Sequence, residues 1–511
     1  RQFVAAALAG VAGLQEADGG WFHGKKCQFG QSGDPTETVF VVRSEEAVVE
    51  GVEAVRKATR NNYKREGKKD RQAEMFPQLE EEINAKWEKL SVPLRWEDVA
   101  SRFSQDFRDE AWKVCEGRIG GTPEERMRFF EEVIMAFPQC FWMEGCAAPT
   151  VRDHVIGFRV KPGSKPVARQ PIPLSPYDNL RVEYHIAENV AQGKLRKIEV
   201  GKEQLPEWST PVFVVDQDAK GLLGRMVCAY GPVNACLEIS TFPAADPQEA
   251  FDTAAFKGHH TVVDAIWGYT QFLFDDETRK LLVVCARSGL YEWLRMPFGP
   301  APAPAEMQGY VATRFGSLRD REGKRFTNPL MDDIPVSSAT LDEHIDHMVI
   351  LCQAATSSGF EFKLTKGQFN QSELELWGCI CDARGRRAQP KKIKQLEEWP
   401  EPTSSAAVCS FLCFVNYLRD YMDPEWIRHE LTLRPFRKKD VRFEPLWSSD
   451  PKYVEAFRAI RSMLSEGATL NHVDFEAASK PDKSGRPLEM FIDASDYGWA
   501  AALTQRPQPH A

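Results

Sequence analysis

A chain of 511 residues with a net charge of −9 and 42% hydrophobic residues is long enough for several domains and can bury a sizeable core. The charge excludes a protein that is basic over its whole surface, though not a local groove for nucleic acid. No apolar run reaches about 18 residues, so no helical membrane span and no membrane partner are expected.

The opening "RQFVAAALAGVAGLQ" is apolar but short, and it lacks a cleavage signal. The first residue is Arg, from which a piece of a longer product is expected. Twelve cysteines form no framework. Cys379 with Cys381, and Cys409 with Cys413, lack partners at zinc-ribbon spacing, so a reduced, intracellular protein is expected.

Residues 1–128 are rich in charge and helix formers, as in "LEEEINAKWEKL", and read as a helical, charged spacer without visible chemistry. The proline-punctuated "VIGFRVKPGSKPVARQPIPLSP" is extended. A helical pattern, "YDNLRVEYHIAENVAQGKL", follows and breaks near Gly193. The strand candidates are then "TPVFVVD", "GRMVCAY", "HTVVDAI", "KLLVVCA" and "YEWLRMPF". With helices predicted for "APAEMQGYVATRFGSL" and "LDEHIDHMVILCQAATSSG", the class is α+β. In the second helix His344 and His347 share a face; that spacing alone favours a structural helix over a metal site. Residues 384–394 hold six basic side chains, a helical region follows, and "LEMFIDASDYGWAAALTQ" reads as strand, turn, strand.

Asp332 and Asp333 stand side by side in "FTNPLMDDIPVSS". Adjacent carboxylates repel and are costly to bury, so the pair needs either a cation or an acidic turn open to solvent. Alone, the acidic turn is the plainer reading. Asp264 closes the apolar "HTVVD". If the two strands are neighbours, three carboxylates converge, a set that suits two Mg²⁺ ions, with Mn²⁺ as a substitute.

The words around these residues carry a resemblance. "LRMPFGPAPAPAEMQ" is similar to a reverse-transcriptase segment usually written "MPFGLTNAPATFQ", and "LPEWSTPVFVV" to "SPWASPVVLV". "RMVCAYGPVN" resembles "RMCVDYRALN", "VVDAIWGYTQ" resembles "KLDLRSGYHQ", and "LMDD" resembles "YLDD". "FKLTKGQFNQSELELWGCI" and "PKKIKQLEEWPEPTSSAAVCSFLCFVNYLRDYM" follow in the same order, and "FIDASDYGWAAALTQ" resembles the opening of a tethered RNase H domain. The family is the gypsy-type LTR retrotransposon pol polyprotein.

That resemblance implies an α+β right-hand polymerase with fingers, a ferredoxin-like palm and a helical thumb. The fingers and palm would span 129–383, the thumb 384–435, a helical connection 436–486, and the start of an RNase H-like domain 487–511. Asp264, Asp332 and Asp333 would hold two Mg²⁺ ions and catalyse nucleotidyl transfer from a dNTP to a primer 3′-hydroxyl on an RNA or DNA template. Tyr269 would bar a 2′-hydroxyl; Pro297, Gly299 and Gln308 would shape the nucleotide pocket. Lys366, in competition with Lys363, would lie near the triphosphate. Trp377 and Gly378 would grip the primer end, and Arg384, Arg386, Arg387, Lys391 and Lys392 would border the duplex. Asp493 takes the first RNase H carboxylate position, with its partners expected beyond Ala511. The implied setting is cytoplasmic or nuclear, or a virus-like particle.

Four departures stand out. Asp216, Gln217 and Asp218 occupy a fingers tip that is usually basic. Ala229 and Gly231 replace an Asp and an Arg, the latter a bidentate clamp on the triphosphate. Lys220 or Arg225 would have to substitute. Leu330 replaces a tyrosine, and Pro335 enters a strand expected to pair. Two readings therefore stay open: an active reverse transcriptase, and a degenerate relative that keeps the fold and binds nucleic acid without polymerising.

Overall fold

The computed structural model describes residues 21–22, 25–26, 70–90, 94–239, 242–243, 246–423, 425–438, 441–463, 469–484, 486–495 and 498–506. Three apolar cores organise them. The largest runs from Trp96 to Phe369 and lies under two sheets.

The first sheet has five strands, β1 (Leu195–Lys197), β2 (Thr210–Val215), β3 (Arg225–Cys228), β5 (Val284–Ala286) and β6 (Gly289–Trp293), in the order β1-β6-β5-β2-β3. Helix α4 (Pro176–Ala191) packs on it; Ser175 caps its first turn by accepting from Asp178 N–H, and Pro176 supplies a preset φ. The second sheet is β7-β4-β8, from β4 (His259–Asp264), β7 (Asp333–Ser338) and β8 (Gln368–Gln371). The apolar "TVV" of β4 suits its central, two-sided position, where Thr261, Val262 and Val263 are all buried. Helices α6 (Ala303–Arg314) and α7 (Leu341–Ser358) flank this sheet in sequence, and α7 packs along β7 and β4. Thr340 caps the start of α7, and Gly359 at φ 76° ends it.

A second core gathers helix α5 (Pro247–Ala254), strands β9 (Leu374–Leu376), β10 (Cys379–Cys381) and β11 (Gly385–Ala388), and helices α8 (Pro390–Glu397) to α11 (Lys452–Ser462), among them α9 (Ser405–Leu418) and α10 (Trp426–Leu433). Strand β12 (Thr469–Asn471) extends that sheet beside β11. The expected strand-turn-strand is the hairpin β13 (Leu488–Ser495) and β14 (Gly498–Gln505), in which Asp493 pairs with Ala500; the Asp493 side chain lies outside the described residues.

The third core concerns the segment read as a spacer. Helix α1 (Asp70–Leu90) sets Phe76, Leu79 and Ile83 against Tyr177, Leu180 and Tyr184 of α4 and against Leu223. From Trp96 onward, helices α2 (Gln105–Cys115) and α3 (Pro123–Phe129) belong to the large core, since Phe107, Ala111 and Cys115 join the cluster that holds Phe362 and Phe369. A boundary at 128 would cut through this packing. Arg102, 3% exposed, also reaches Glu361, with contacts of 2.8 and 3.3 Å.

Candidate active site

Strands β4 and β7 are antiparallel neighbours, and their register sets Asp264 opposite Asp333. The step between Leu330 and Asp333 is a two-residue hairpin turn, closed by Leu330 N–H to Asp333 O (3.0 Å) and Asp333 N–H to Leu330 O (3.1 Å). Met331, first of the two central residues, has φ 55°, and Asp332 is not in the left-handed region; this is the II′ pattern, in which glycine is usual. A non-glycine residue there holds strain that its surroundings must offset. Gln308, buried on α6, does so: its Oε1 accepts from Met331 N–H at 2.7 Å and its Nε2 donates to Pro329 O at 3.3 Å. Ala265 N–H donates to Asp332 O at 2.8 Å. Pro335 is accommodated because β7 is an edge strand of its sheet, met on its far side by isolated bridges from Thr327 to Val336 and from Leu330 to Asp333.

Each aspartate has a different environment. Asp332 is exposed at the turn. Burial raises the Asp264 carboxyl, against the pull of Lys366, whose Nζ is 2.9 Å from Asp264 Oδ2. Asp333 is pushed up to about 6, first by burial and then by the charges of Asp332 and Asp264. Trp377 Nε1 donates to Asp333 Oδ2 at 3.1 Å. Lys366 thus draws one carboxylate and Trp377 another. Among the described residues, the set of His, Cys, Asp and Glu ligand atoms lying within 4.8 Å of one another is elsewhere, at Asp320, Glu343 and His347. The aspartates nevertheless fit a divalent hard cation: the charge of Asp332 adds to the proton affinity of both Asp264 and Asp333, and a cation relieves that repulsion.

Tyr269 lies within the field of Asp332 and packs edge-on against Phe298 at 4.7 Å. Arg225 stacks over that exposed ring, its guanidinium carbon 4.6 Å from the centroid. Pro297 and Gly299 belong to the same turn. Gly299 has φ 108°, and a Cβ there would sit 3.1 Å from the Tyr230 ring. Asn234 fixes the turn, donating to Gly299 O at 3.0 Å and accepting from Ala301 N–H at 2.8 Å. The Lys220 side chain lies outside the described residues. Asp216 pairs with the buried Arg181 at 2.6 Å, and Arg181 also bonds Asp178 and Leu223 O.

Trp377 and Gly378 form the two-residue turn between β9 and β10, both with positive φ, 45° and 75°. The basic run is partly spent within the fold: Arg386 meets Asp420, and Arg387 meets Glu373 and Asp382. Lys392 lies over Phe414 at 5.6 Å, whereas Arg384 and Lys391 are exposed. The sequence did not disclose the placements of Gln308, Trp377 and Arg181. Asn234 had a signal, as the shared last residue of "RMVCAYGPVN".

The family described as "Reverse transcriptase (RNA-dependent DNA polymerase)" matches residues 183–381. The retrovirus-related Pol polyprotein from transposon 297 of Drosophila melanogaster is 24% identical over 349 residues, covering 68% of this chain and 31% of its own length. The transposon Tf2-3 polyprotein of Schizosaccharomyces pombe is 26% identical over 283 residues, covering 55% and 20%. The chain therefore spans less than a third of the curated relatives it matches. Among solved structures, the foamy viral protease-reverse transcriptase with an RNA/DNA hybrid superposes with a TM-score of 0.60 at 16% identity, covering 78% of this chain and 52% of that one. A complex of the same viral enzyme with double-stranded DNA gives 0.62 at 15%, covering 81% and 69%. These likenesses establish the right-hand fold.

Proposed function

We propose that this chain, which carries a reverse transcriptase domain of the retrotransposon pol polyprotein kind, is an RNA-directed DNA polymerase that extends a primer on RNA or DNA from dNTPs in an intracellular setting. The observation that carries the reading is the β4/β7 register, which sets Asp264 opposite Asp333 beside the exposed Asp332.

Asp264, Asp332 and Asp333 would hold two Mg²⁺ ions, which when bound supply charge neutralisation and a more acidic 3′-hydroxyl. The chain's own residues do the positioning. Gln308 and Ala265 fix the backbone of the turn, so Asp332 presents its carboxylate without reorganising. Trp377 aims Asp333, and Lys366 balances the charge of Asp264. Tyr269, braced by Phe298, gives the sugar a wall that leaves no room for a 2′-hydroxyl. Arg225, on the same ring and without an ion pair to any described carboxylate, takes the triphosphate-binding part left by Gly231.

Primer extension on poly(rA)/oligo(dT) with Mg²⁺ or Mn²⁺ tests this. Asp332→Asn is expected to lower incorporation by roughly 10²–10³-fold or more; equal incorporation by folded wild type and variant overturns it. One observation favours the second reading, a fold-keeping nucleic-acid binder: Arg181, the buried arginine nearest the fingers hairpin, is committed to Asp216. That reading predicts anisotropy-detected binding of template-primer with no incorporation in either metal.

A further inference from the structure

At the end of β7 opposite Asp333, three side chains from separate turns of the fold converge. Asp320 comes from the loop after α6, Glu343 from the first turn of α7, and His347 from one turn further along. His347 is 2% exposed, and its ring lies flat on Phe326, with centroids 4.2 Å apart and 9° between planes. Its Nδ1 is 2.8 Å from Ser338 Oγ. Its Nε2 is buried with no hydrogen-bond partner, 3.8 Å from Asp320 Oδ2 and 3.9 Å from Glu343 Oε1. Those separations are too long for hydrogen bonds. They are slightly wider than the roughly 3.4 Å between ligand atoms about 2.1 Å from one tetrahedral ion.

We propose that Asp320, Glu343 and His347 form a site for a divalent transition-metal ion of the Zn²⁺ class, separate from the polymerase carboxylates. The donor set of one imidazole and two carboxylates, with a face open to solvent, suits such an ion better than Mg²⁺, which favours oxygen alone.

The supporting hydrogen bonds are those a metal site needs. Asp320 Oδ1 accepts from the N–H groups of Glu322 (2.8 Å) and Lys324 (2.7 Å), which leaves Oδ2 for the ion. Glu343 Oε2 accepts from Ala339 N–H at 2.8 Å, which leaves Oε1. Behind His347 a buried relay fixes the ring: Ser338 Oγ lies 2.9 Å from His344 Nδ1, and His344 Nε2 lies 2.7 Å from Thr261 Oγ1. Thr261 Oγ1 also accepts Asn370 N–H at 3.0 Å. With Thr261 accepting from His344, and Ser338 donating to His344, His347 donates its Nδ1–H to Ser338 and keeps an Nε2 lone pair facing the carboxylates. The opposite arrangement leaves a buried N–H with no acceptor in reach. A cation resolves the first arrangement, and oriented outer partners of this kind are what hold metal-binding histidines. Lys257, 3.8 Å from Glu343 Oε1, is the competing cation at the rim.

The ion would clip the loop that leads into Phe326 and the carboxylate turn onto α7. The test uses the full chain carrying Asp332→Asn, stripped with chelator, titrated calorimetrically with Zn²⁺ and spectroscopically with Co²⁺. We expect saturable Zn²⁺ binding, a Co²⁺ visible spectrum of nitrogen–oxygen coordination, and a Zn²⁺-dependent rise in melting temperature. Adding Glu343→Gln, which keeps the Ala339 hydrogen bond, or Asp320→Asn should weaken Zn²⁺ by at least about tenfold while leaving the melting temperature in chelator unchanged. Absence of saturable Zn²⁺ binding or of the Co²⁺ spectrum in the parent chain overturns the proposal whatever the variants do. Undiminished Zn²⁺ affinity in either folded variant overturns it too.

Discussion

Two hairpins of this fold, the carboxylate turn of the palm and the β2–β3 turn of the fingers, are held in opposite ways. The palm turn is gripped from behind by neutral groups: Gln308 on the Met331 backbone, Ala265 N–H on Asp332 O, and Trp377 on Asp333. Asp332 is left to face outward, and its charge helps to raise the Asp333 carboxyl. The fingers turn is held by charge, through the buried Arg181 and the 93% exposed Asp216. A backbone-held turn can present carboxylates to a ligand without losing its own supports. A charge-held turn has already committed the cation that a phosphate would seek.

The largest effect should come from loosening the palm. Gln308→Leu leaves the part-buried Met331 N–H without its acceptor beside an apolar side chain, at a cost of about 1–3 kcal/mol. Urea denaturation should read that loss, and primer extension should fall in kcat more than in KM. An unchanged kcat would mean that the turn does not depend on its clamp. Arg181→Met should cost about 2 kcal/mol or less, because Asp216 regains water and Leu223 O keeps His185 at 3.2 Å. Its signature should be a higher KM for dNTP with kcat preserved; a kcat collapse would erase the contrast between the hairpins.

The smallest effect sharpens the palm's side. The native state holds the Asp333 proton up to about 6, against a model-compound value near 4. The folded state therefore binds that proton more tightly. Stability is greater at low pH and declines as the pH rises from about 4 through 6. Asp333→Asn should remove that decline, making the metal-free protein about 1 kcal/mol more stable than wild type at pH 7.5 and no more stable near pH 4, solvent screening included. Thermal melts across pH in chelator check this, and a parallel decline in the variant would remove Asp333 as its cause.

How legible was this in the sequence? Motifs that carry chemistry in consecutive residues survived translation into space: "HTVVD" became a strand, "LMDD" the turn that opens the strand facing it, and "MPFG" the turn beside Tyr269. What stayed hidden were partners distant along the chain. Nothing near Trp377 in sequence announces Asp333, and nothing near Gln308 announces Met331. Helix α1 looked like a charged spacer because Phe76, Leu79 and Ile83 form a narrow stripe among many charges. The stripe acquires meaning only once it is seen packed on Tyr177, Leu180 and Tyr184. The basic run is partly of the same kind: Asp420 and Glu373, which meet Arg386 and Arg387, lie elsewhere along the chain, whereas Asp382 stands only five residues from Arg387.

The Arg102–Glu361 pair bears on how the chain is made. Its partners are 259 residues apart, and Arg102 is buried in the finished core. At about 5–20 residues per second, Glu361 is synthesised some 10–50 s after Arg102. Throughout that interval the guanidinium has no carboxylate to be buried with, and burying it unpaired is prohibitive. The segment around α2 must therefore wait on the ribosome in an open form. The core it belongs to can close only when β8 and the end of α7 have been made, so this fold is assembled late and at long range rather than from its beginning.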